Sequence, residues 1–251
     1  MDRYTLLADK LKNRERIVMA NVLNVKNPFL LSAFSSADCI LIDKEHGIYG
    51  SEEIMPLTAQ CRTMGIPSIV RAEDAVYHLI AKAIYMGADG IMLPRTESLE
   101  QVRTAVEAMN FPPDGRLGFG GWGLLREGED IPGYRRFLFV QIESRKGREL
   151  IPEMMERYGR FIDAFIIGPN DYSISTGVPR ELDHPKMHEE YKAFYKTCTG
   201  LGVSCGTFDP DIPSVTRDMD MGANVFWIGD DIACMKSGFD SLIAGMPEMK
   251  R

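Results

Sequence analysis

The chain is poor in cysteine, histidine and tryptophan: its 251 residues include five, four and two of them. The cysteines (Cys39, Cys61, Cys198, Cys205 and Cys234) are odd in number and form no CxxC pair, so there is no disulfide framework or zinc ribbon to build on. Cys39 and Cys205 lie within apolar runs and read as small buried hydrophobes. No apolar run approaches the ~20 residues that span a bilayer. The opening MDRYTLLADKLKNRERIV is too charged for a signal peptide. A Lys/Arg-rich patch is also missing. The net charge is −7, from 29 Lys+Arg against 36 Asp+Glu, spread along the chain. Nucleic acid and anionic membrane are therefore not expected partners. These absences point to a soluble, cytoplasmic protein.

What the chain has in abundance is apolar residues, 45% of the total, enough for a substantial core and too many for a mostly disordered chain. A length of 251 residues matches the ~250 typical of a (β/α)8 barrel, and one domain over 1–251 is the expectation. Short apolar runs bounded by polar residues read as parallel strands buried on both faces. They fall at 17–23, 39–42, 68–70, 90–93, 137–142, 164–167, 203–206 and 224–228. Helix signals lie between them. Pro28 suits the first turn of a helix over 28–37, and Ser51 with Glu52 and Glu53 opens another that Gly65 closes. Asp74 reads as the cap of a helix to Met86, and Ser98 opens one to Met109. Helices over 147–158, 188–201, 212–221 and 232–244 follow, and 4–12 caps one end of the fold.

Such regular alternation implies βαβ units with right-handed crossovers. Eight units close most simply into a parallel (β/α)8 TIM barrel, which leaves no sheet edge exposed. A doubly wound open sheet is the alternative. Its dinucleotide fingerprint is missing, because Gly118-Phe119-Gly120-Gly121 follows a helix rather than a strand, and there is no GKS or GKT. The Gly- and Pro-rich loop 111–134 is long enough to suggest a functional role.

In a parallel barrel the C-terminal ends of the strands share the face on which active sites are built. Strand two delivers Asp43, Glu45 and His46 there, strand three Arg71, strand five Gln141 and Glu143, and strand six Asn170 and Asp171. Alternation along a strand makes Gln141 and Glu143 face the same way. Glu143 and Asp171 are two hard oxygen ligands with nothing softer nearby, the outline of a divalent-cation site. Capping the helix or turn that each precedes is their competing role. His46 stands at a strand end and is a candidate for proton transfer, whereas His78, His184 and His188 fall in helix or loop contexts. Arg71 suits a structural partner for a barrel acid and a functional cation equally. Met154, Met155, Met219 and Met221 read as core filler.

The segments IDKEHG, VRAED, VQIES and IGPNDYSISTG, in this order between about Met19 and Phe208, resemble the HpcH/HpaI aldolase family. Those enzymes are metal-dependent (class II) pyruvate aldolases that cleave 2-keto-4-hydroxy acids to pyruvate and an aldehyde. The resemblance implies a divalent ion (Mg²⁺, Mn²⁺ or Co²⁺) on Glu143 and Asp171. It implies proton handling through water by Asp43 and His46, and substrate orientation by Arg71, with Gln141 beside the metal ligand. The backbone of Gly168, Pro169, Asn170 and Asp171 corresponds to the part that holds the pyruvate carboxylate. Lys44 and Asn170 depart from the common Gly and Ala, and 115–125 keeps only a trace of the family's Arg-Gly-rich loop.

The last helix carries Ile232, Met235, Phe239 and Leu242 as an apolar stripe. It is similar to a helix that the family exchanges between barrels, which implies a homo-oligomer, a trimer or hexamer. Two alternatives stand beside the aldolase: a citrate-lyase-β-like lyase acting on a CoA thioester, and a barrel that binds a keto acid without turning it over. The first needs basic residues near the mouth, and the loop after strand four offers only Arg95, Arg116 and Arg126. Lys44 raises a Schiff-base aldolase as a further variant.

Overall fold

Runs of Val, Ile, Leu and Phe form eight short strands: β1 (Ile17–Val22), β2 (Cys39–Asp43), β3 (Ser68–Arg71), β4 (Gly90–Leu93), β5 (Phe137–Ile142), β6 (Ile162–Ile167), β7 (Ser204–Asp209) and β8 (Val225–Ile228). All pair in parallel in chain order, and β8 pairs back to β1, so the sheet closes into a barrel. The computed structural model describes residues 2–120 and 124–246; Gly121, Trp122 and Gly123 of the glycine-rich loop lie outside that description. The helices are α1 (Arg3–Asn13), α2 (Ser51–Thr63), α3 (Tyr77–Tyr85), α4 (Leu99–Met109), α5 (Arg145–Glu149), α6 (Ile151–Tyr158), α7 (Pro169–Ser175), α8 (Pro185–Gly200), α9 (Ile212–Asp220) and α10 (Asp231–Ala244).

Period-two alternation divides the strand residues between two apolar layers. Ile17, Met19, Cys39, Leu41, Ile69, Met92, Phe137, Phe139, Ala164, Ile166, Val225 and Trp227 fill the barrel interior, where α1 adds Leu7 and Leu11. The other phase, including Ile40, Val70, Ile91, Val140, Phe165 and Phe226, packs against the surrounding helices. The interior phase is apolar at the bottom of the barrel. At the top it turns polar, and that is where the site lies.

Several boundaries differ from the sequence reading. The segment after β1 is a 3-10 helix over Pro28–Phe34, with the Asn27 side chain accepting from Phe29 N–H; it is not an α-helix to 37. Asp74 does not cap α3, whose first turn follows Val76; its carboxylate accepts from the adjacent Ala75 N–H. Ser51 is the first residue of α2 rather than its cap, and the Glu53 carboxylate accepts from Gly50 N–H at 2.9 Å. The helix over 147–158 is two, α5 and α6, meeting at Leu150 ahead of Pro152. β7 runs three residues past its expected end, to Asp209, because Thr207 and Phe208 continue the alternation of shell and interior positions.

Asp231 ties the ends of the barrel together. Its Oδ2 accepts from the N–H groups of Leu23, Asn24 and Val25 at 3.2, 2.7 and 2.8 Å, joining the end of β8 to the loop after β1. Beyond it α10 leaves the barrel, and every residue from Ile232 to Met246 is exposed.

Candidate active site

The interior phase ends in Asn21 on β1, Asp43 on β2, Arg71 on β3, Gln141 on β5, Phe208 on β7 and Trp227 on β8, which converge on a cavity of about 140 Å³. Leu23, His46, Glu143, Gly168, Pro169, Asn170, Asp171 and Asp230 complete its wall. Asp43, His46, Arg71, Gln141, Glu143 and Gly168 to Asp171, the site residues implied by the resemblance, therefore border one space, whereas Glu45 and Lys44 do not line it.

Arg71 is its hub. β2 and β3 place it beside Asp43 in register, and the two form a bidentate pair, Nε to Oδ1 at 2.8 Å and Nη2 to Oδ2. Nη2 also meets His46 Nδ1 at 2.9 Å, and Nη1 donates to Gln141 Oε1 at 3.3 Å. A guanidinium has five N–H donors and no acceptor, so these contacts engage four and leave one, on Nη1. They also make His46 Nδ1 an acceptor, which puts the neutral ring's proton on Nε2. The Trp227 ring lies 5.1 Å from the guanidinium, a cation–π contact, and packs edge-on against Phe208.

Asp43 does not touch the His46 ring. Its Oδ1 accepts from the backbone N–H of Glu45 at 3.0 Å and of His46 at 3.2 Å, a local turn that orients His46 through its main chain. Gly47 completes this turn, since a Cβ there would overlap the Asp43 carbonyl oxygen.

Glu143 follows β5 in the same phase as Gln141. Its Oε1 accepts from Gln141 Nε2 at 2.9 Å and its Oε2 from Arg95 N–H at 3.1 Å, leaving lone pairs on both oxygens. Burial pushes its carboxyl up to about 7, and the nearby carboxylates of Glu45 and Asp171 add to the shift. Glu143 is not a cap: Ser144 caps α5, accepting from Gly147 N–H at 3.2 Å. Gly168 leaves room for Glu143, since a Cβ on it would run into the Glu143 side chain as it stands. Asp171 is exposed in the first turn of α7, behind the cap residue Gly168. A buried network anchors that helix. Glu190 accepts from Tyr172 at 2.7 Å and from Arg148 at 2.9 Å on one oxygen, and from Arg145 at 2.6 Å on the other.

These residues fit a divalent ion. Glu143 is a buried carboxylate with free lone pairs, and neighbouring acids penalise its charge until a cation offsets it. Among the described residues no group of three or more His, Cys, Asp or Glu side chains could hold a metal. A two-carboxylate site suits ions of the Mg²⁺ type, which keep several positions for water or substrate.

Lys44 takes no part in the cavity wall. Its Nζ pairs with Glu73 Oε1 at 2.6 Å. Asn21, Phe208 and Trp227 are site residues that the sequence reading missed. Asn21 Oδ1 and Trp227 Nε1 are buried without a hydrogen-bond partner among the described residues, one acceptor and one donor from residues of the cavity wall. The signal for Asn21 was present: a lone amide inside the apolar run IVMANV.

The sequence model of the HpcH/HpaI aldolase/citrate lyase family matches residues 23–237. The 2-keto-3-deoxy-L-rhamnonate aldolase of Salmonella typhimurium strain LT2 is 26% identical over 221 residues, covering 85% of this chain and 82% of that protein. The crystal structure of an HpcH/HpaI aldolase from Desulfitobacterium hafniense DCB-2 superposes with a TM-score of 0.85 at 26% identity, over 97% of this chain and 98% of that one. A family protein from Burkholderia cenocepacia J2315 shares the fold, with a TM-score of 0.85 at 20% identity over 95% and 98% of the two chains.

Proposed function

The chain belongs to the HpcH/HpaI aldolase/citrate lyase family, and from that premise we propose that it is a divalent-metal-dependent aldolase. It cleaves a 2-keto-4-hydroxy acid to pyruvate and an aldehyde. The observation that carries this reading is Gln141, which bridges Arg71 and Glu143. It sets a guanidinium with one spare N–H beside a carboxylate suited to a cation. A 2-keto-3-deoxy sugar acid, the substrate class of the Salmonella relative, is the first candidate substrate.

Glu143 and Asp171 would hold the metal, with Mg²⁺, Mn²⁺ or Co²⁺ as candidates. The ion supplies positive charge where the enolate of pyruvate develops. Arg71 adds its free N–H to the same developing charge. The backbone of Gly168, Pro169, Asn170 and Asp171 receives the carboxylate of the keto acid. His46 takes the proton of the 4-hydroxyl, directly or through water. Its Nδ1 lone pair is the ring's acceptor and is engaged by Arg71. A keto acid that draws this Nη2–H to itself, beside the free Nη1–H, would free the base at the moment of binding. Asp43 keeps Arg71 charged and in place.

The arginines offered to a CoA tail weigh against a thioester lyase. Arg116 pairs with Glu107 at 2.7 Å. Arg126 pairs with Glu129 at 2.8 Å and lies in a cavity with Asp2, Arg3 and Tyr4 at the other end of the barrel. Only Arg95 adjoins the site. We further propose a homo-oligomer, a trimer or hexamer, joined through α10.

The deciding experiment is solvent-deuterium exchange into the methyl group of pyruvate with Mg²⁺, Mn²⁺ or Co²⁺. Wild type should exchange, EDTA should stop it reversibly, and Glu143→Gln or Asp171→Asn should abolish it and weaken Mn²⁺ binding while the fold persists. Full activity after exhaustive chelation, or borohydride trapping of pyruvate on Lys44, would overturn the metal mechanism.

A further inference from the structure

Arg95 follows Pro94 at the end of β4 and holds a left-handed backbone, φ 43°, which residues other than glycine rarely adopt. Four contacts keep it there. Its N–H donates to Glu143 Oε2 at 3.1 Å, and its carbonyl accepts from Gln101 Nε2 at 3.1 Å. Its Nε pairs with Glu45 Oε1 at 3.0 Å, and its Nη2 donates to the Glu73 carbonyl at 3.2 Å. One residue thus joins the ends of β2, β3 and β5 around the site.

The significance lies in Glu45. Its side chain is buried, and its Oε2 lies 3.4 Å from Arg71 Nε. That oxygen has no hydrogen-bond partner among the described residues, because Arg71 Nε has one hydrogen and gives it to Asp43 at 2.8 Å. Glu45 is therefore a second carboxylate at the edge of the Arg71 guanidinium, and the Arg95 ion pair holds its other oxygen. We propose that Arg95 is a positioning residue that restrains Glu45 from closing on Arg71. Without the Arg95 guanidinium, Glu45 swings onto Arg71 and takes the free Nη1–H or competes with Asp43 for Nε–H. The charge intended for the enolate is then neutralised from the wrong side. The proposal rests on the aldolase reading, in which Arg71 faces the enolate.

The test is Arg95→Gly, which suits the left-handed backbone and keeps the N–H to Glu143 while removing the guanidinium. A second variant adds Glu45→Gln. Pyruvate methyl exchange with Mg²⁺ is measured as kcat and KM separately, and Mn²⁺ affinity is titrated by electron paramagnetic resonance without substrate. Arg95→Gly should lower kcat by about tenfold or more, a part of the loss that follows removal of a whole charge-stabilising donor. Mn²⁺ affinity should stay unchanged, and Arg95→Gly/Glu45→Gln should regain most of the lost rate. In the crystal structure of Arg95→Gly, Glu45 should hydrogen-bond Arg71. A merely structural role for Arg95 predicts no rescue by Glu45→Gln. Failure of the double variant to recover, a Glu45 that stays in place, or weakened Mn²⁺ binding in Arg95→Gly would each overturn the proposal. A wild type that exchanges no pyruvate protons would overturn the aldolase reading instead, and the crystal structure would still decide where Glu45 goes.

Discussion

Arg71 and His46 share one hydrogen bond, yet the proposed chemistry asks different things of them. The 4-hydroxyl proton that His46 handles exists in the aldol and not in pyruvate. The enolate charge that Arg71 faces arises in both aldol cleavage and pyruvate exchange. His46→Ala should therefore cut cleavage by the ~10²–10⁴-fold typical of general acid–base groups. Arg71→Ala should depress cleavage and exchange together, by about 10²–10³-fold. The measurement is the ratio of cleavage rate to exchange rate in each variant against wild type. A ratio altered more by Arg71→Ala than by His46→Ala would reverse the two assignments. Polar residues at strand ends made Asp43, Arg71, Gln141 and Glu143 legible, because a charge that ends an apolar strand has few other places to go. The partners of Arg71 were not legible. That Arg71 meets the His46 ring and the Asp43 carboxylate depends on a register between two strands whose residues are 28 apart.

At the scale of elements, the extra turn of alternation in β7 has an energetic consequence. It carries Asp209 onto the shell side, where it is fully buried near Asp218 of α9. No N–H or O–H donor among the described residues reaches either oxygen of Asp209, and a protonated Asp209 shares a hydrogen bond with Asp218. Burial, followed by the Asp218 carboxyl, pushes Asp209 up to about 8, against the smaller pull of Arg217. A carboxyl with a folded value above its unfolded value of about 3.9 binds a proton in the folded state that the unfolded chain has released. Stability should therefore fall as pH rises from about 4 to about 8 and level off above that. Asp209→Asn keeps the shape of the neutral acid and should lose this slope. Thermal melts at about pH 6 and pH 8 check it: the wild-type Tm should drop relative to the variant at the higher pH, and parallel curves would refute the assignment. The same element shows where sequence reading stopped short. Apolar runs mark strand cores well, but Thr207-Phe208-Asp209 carries no such run, and pairing with β6 at Thr207 and with β8 through Asp209 extends the strand.

For the whole molecule, α10 is the feature that one barrel leaves unexplained. Phe239 and Leu242 are 64% and 72% exposed, and an apolar helix face of this kind calls for a partner surface. A homo-oligomer of three or six chains is expected by light scattering at micromolar concentration, and Phe239→Glu with Leu242→Glu should dissociate it. A monomeric wild type would count against this. The sequence by itself determined the number and order of the strands, the helices between them and the closure into a barrel. Each of these follows from local periodicity and from the need to bury both faces of a parallel sheet. It also determined which polar residues reach the C-terminal mouth of the barrel, since alternation carries them there. The tertiary structure alone decided that Glu45 lies between Arg71 and Arg95, that Lys44 pairs with Glu73 outside the cavity, and that Phe208 and Trp227 complete the wall. Those arrangements arise where separate strand ends meet, and contacts between distant segments leave no period in the chain.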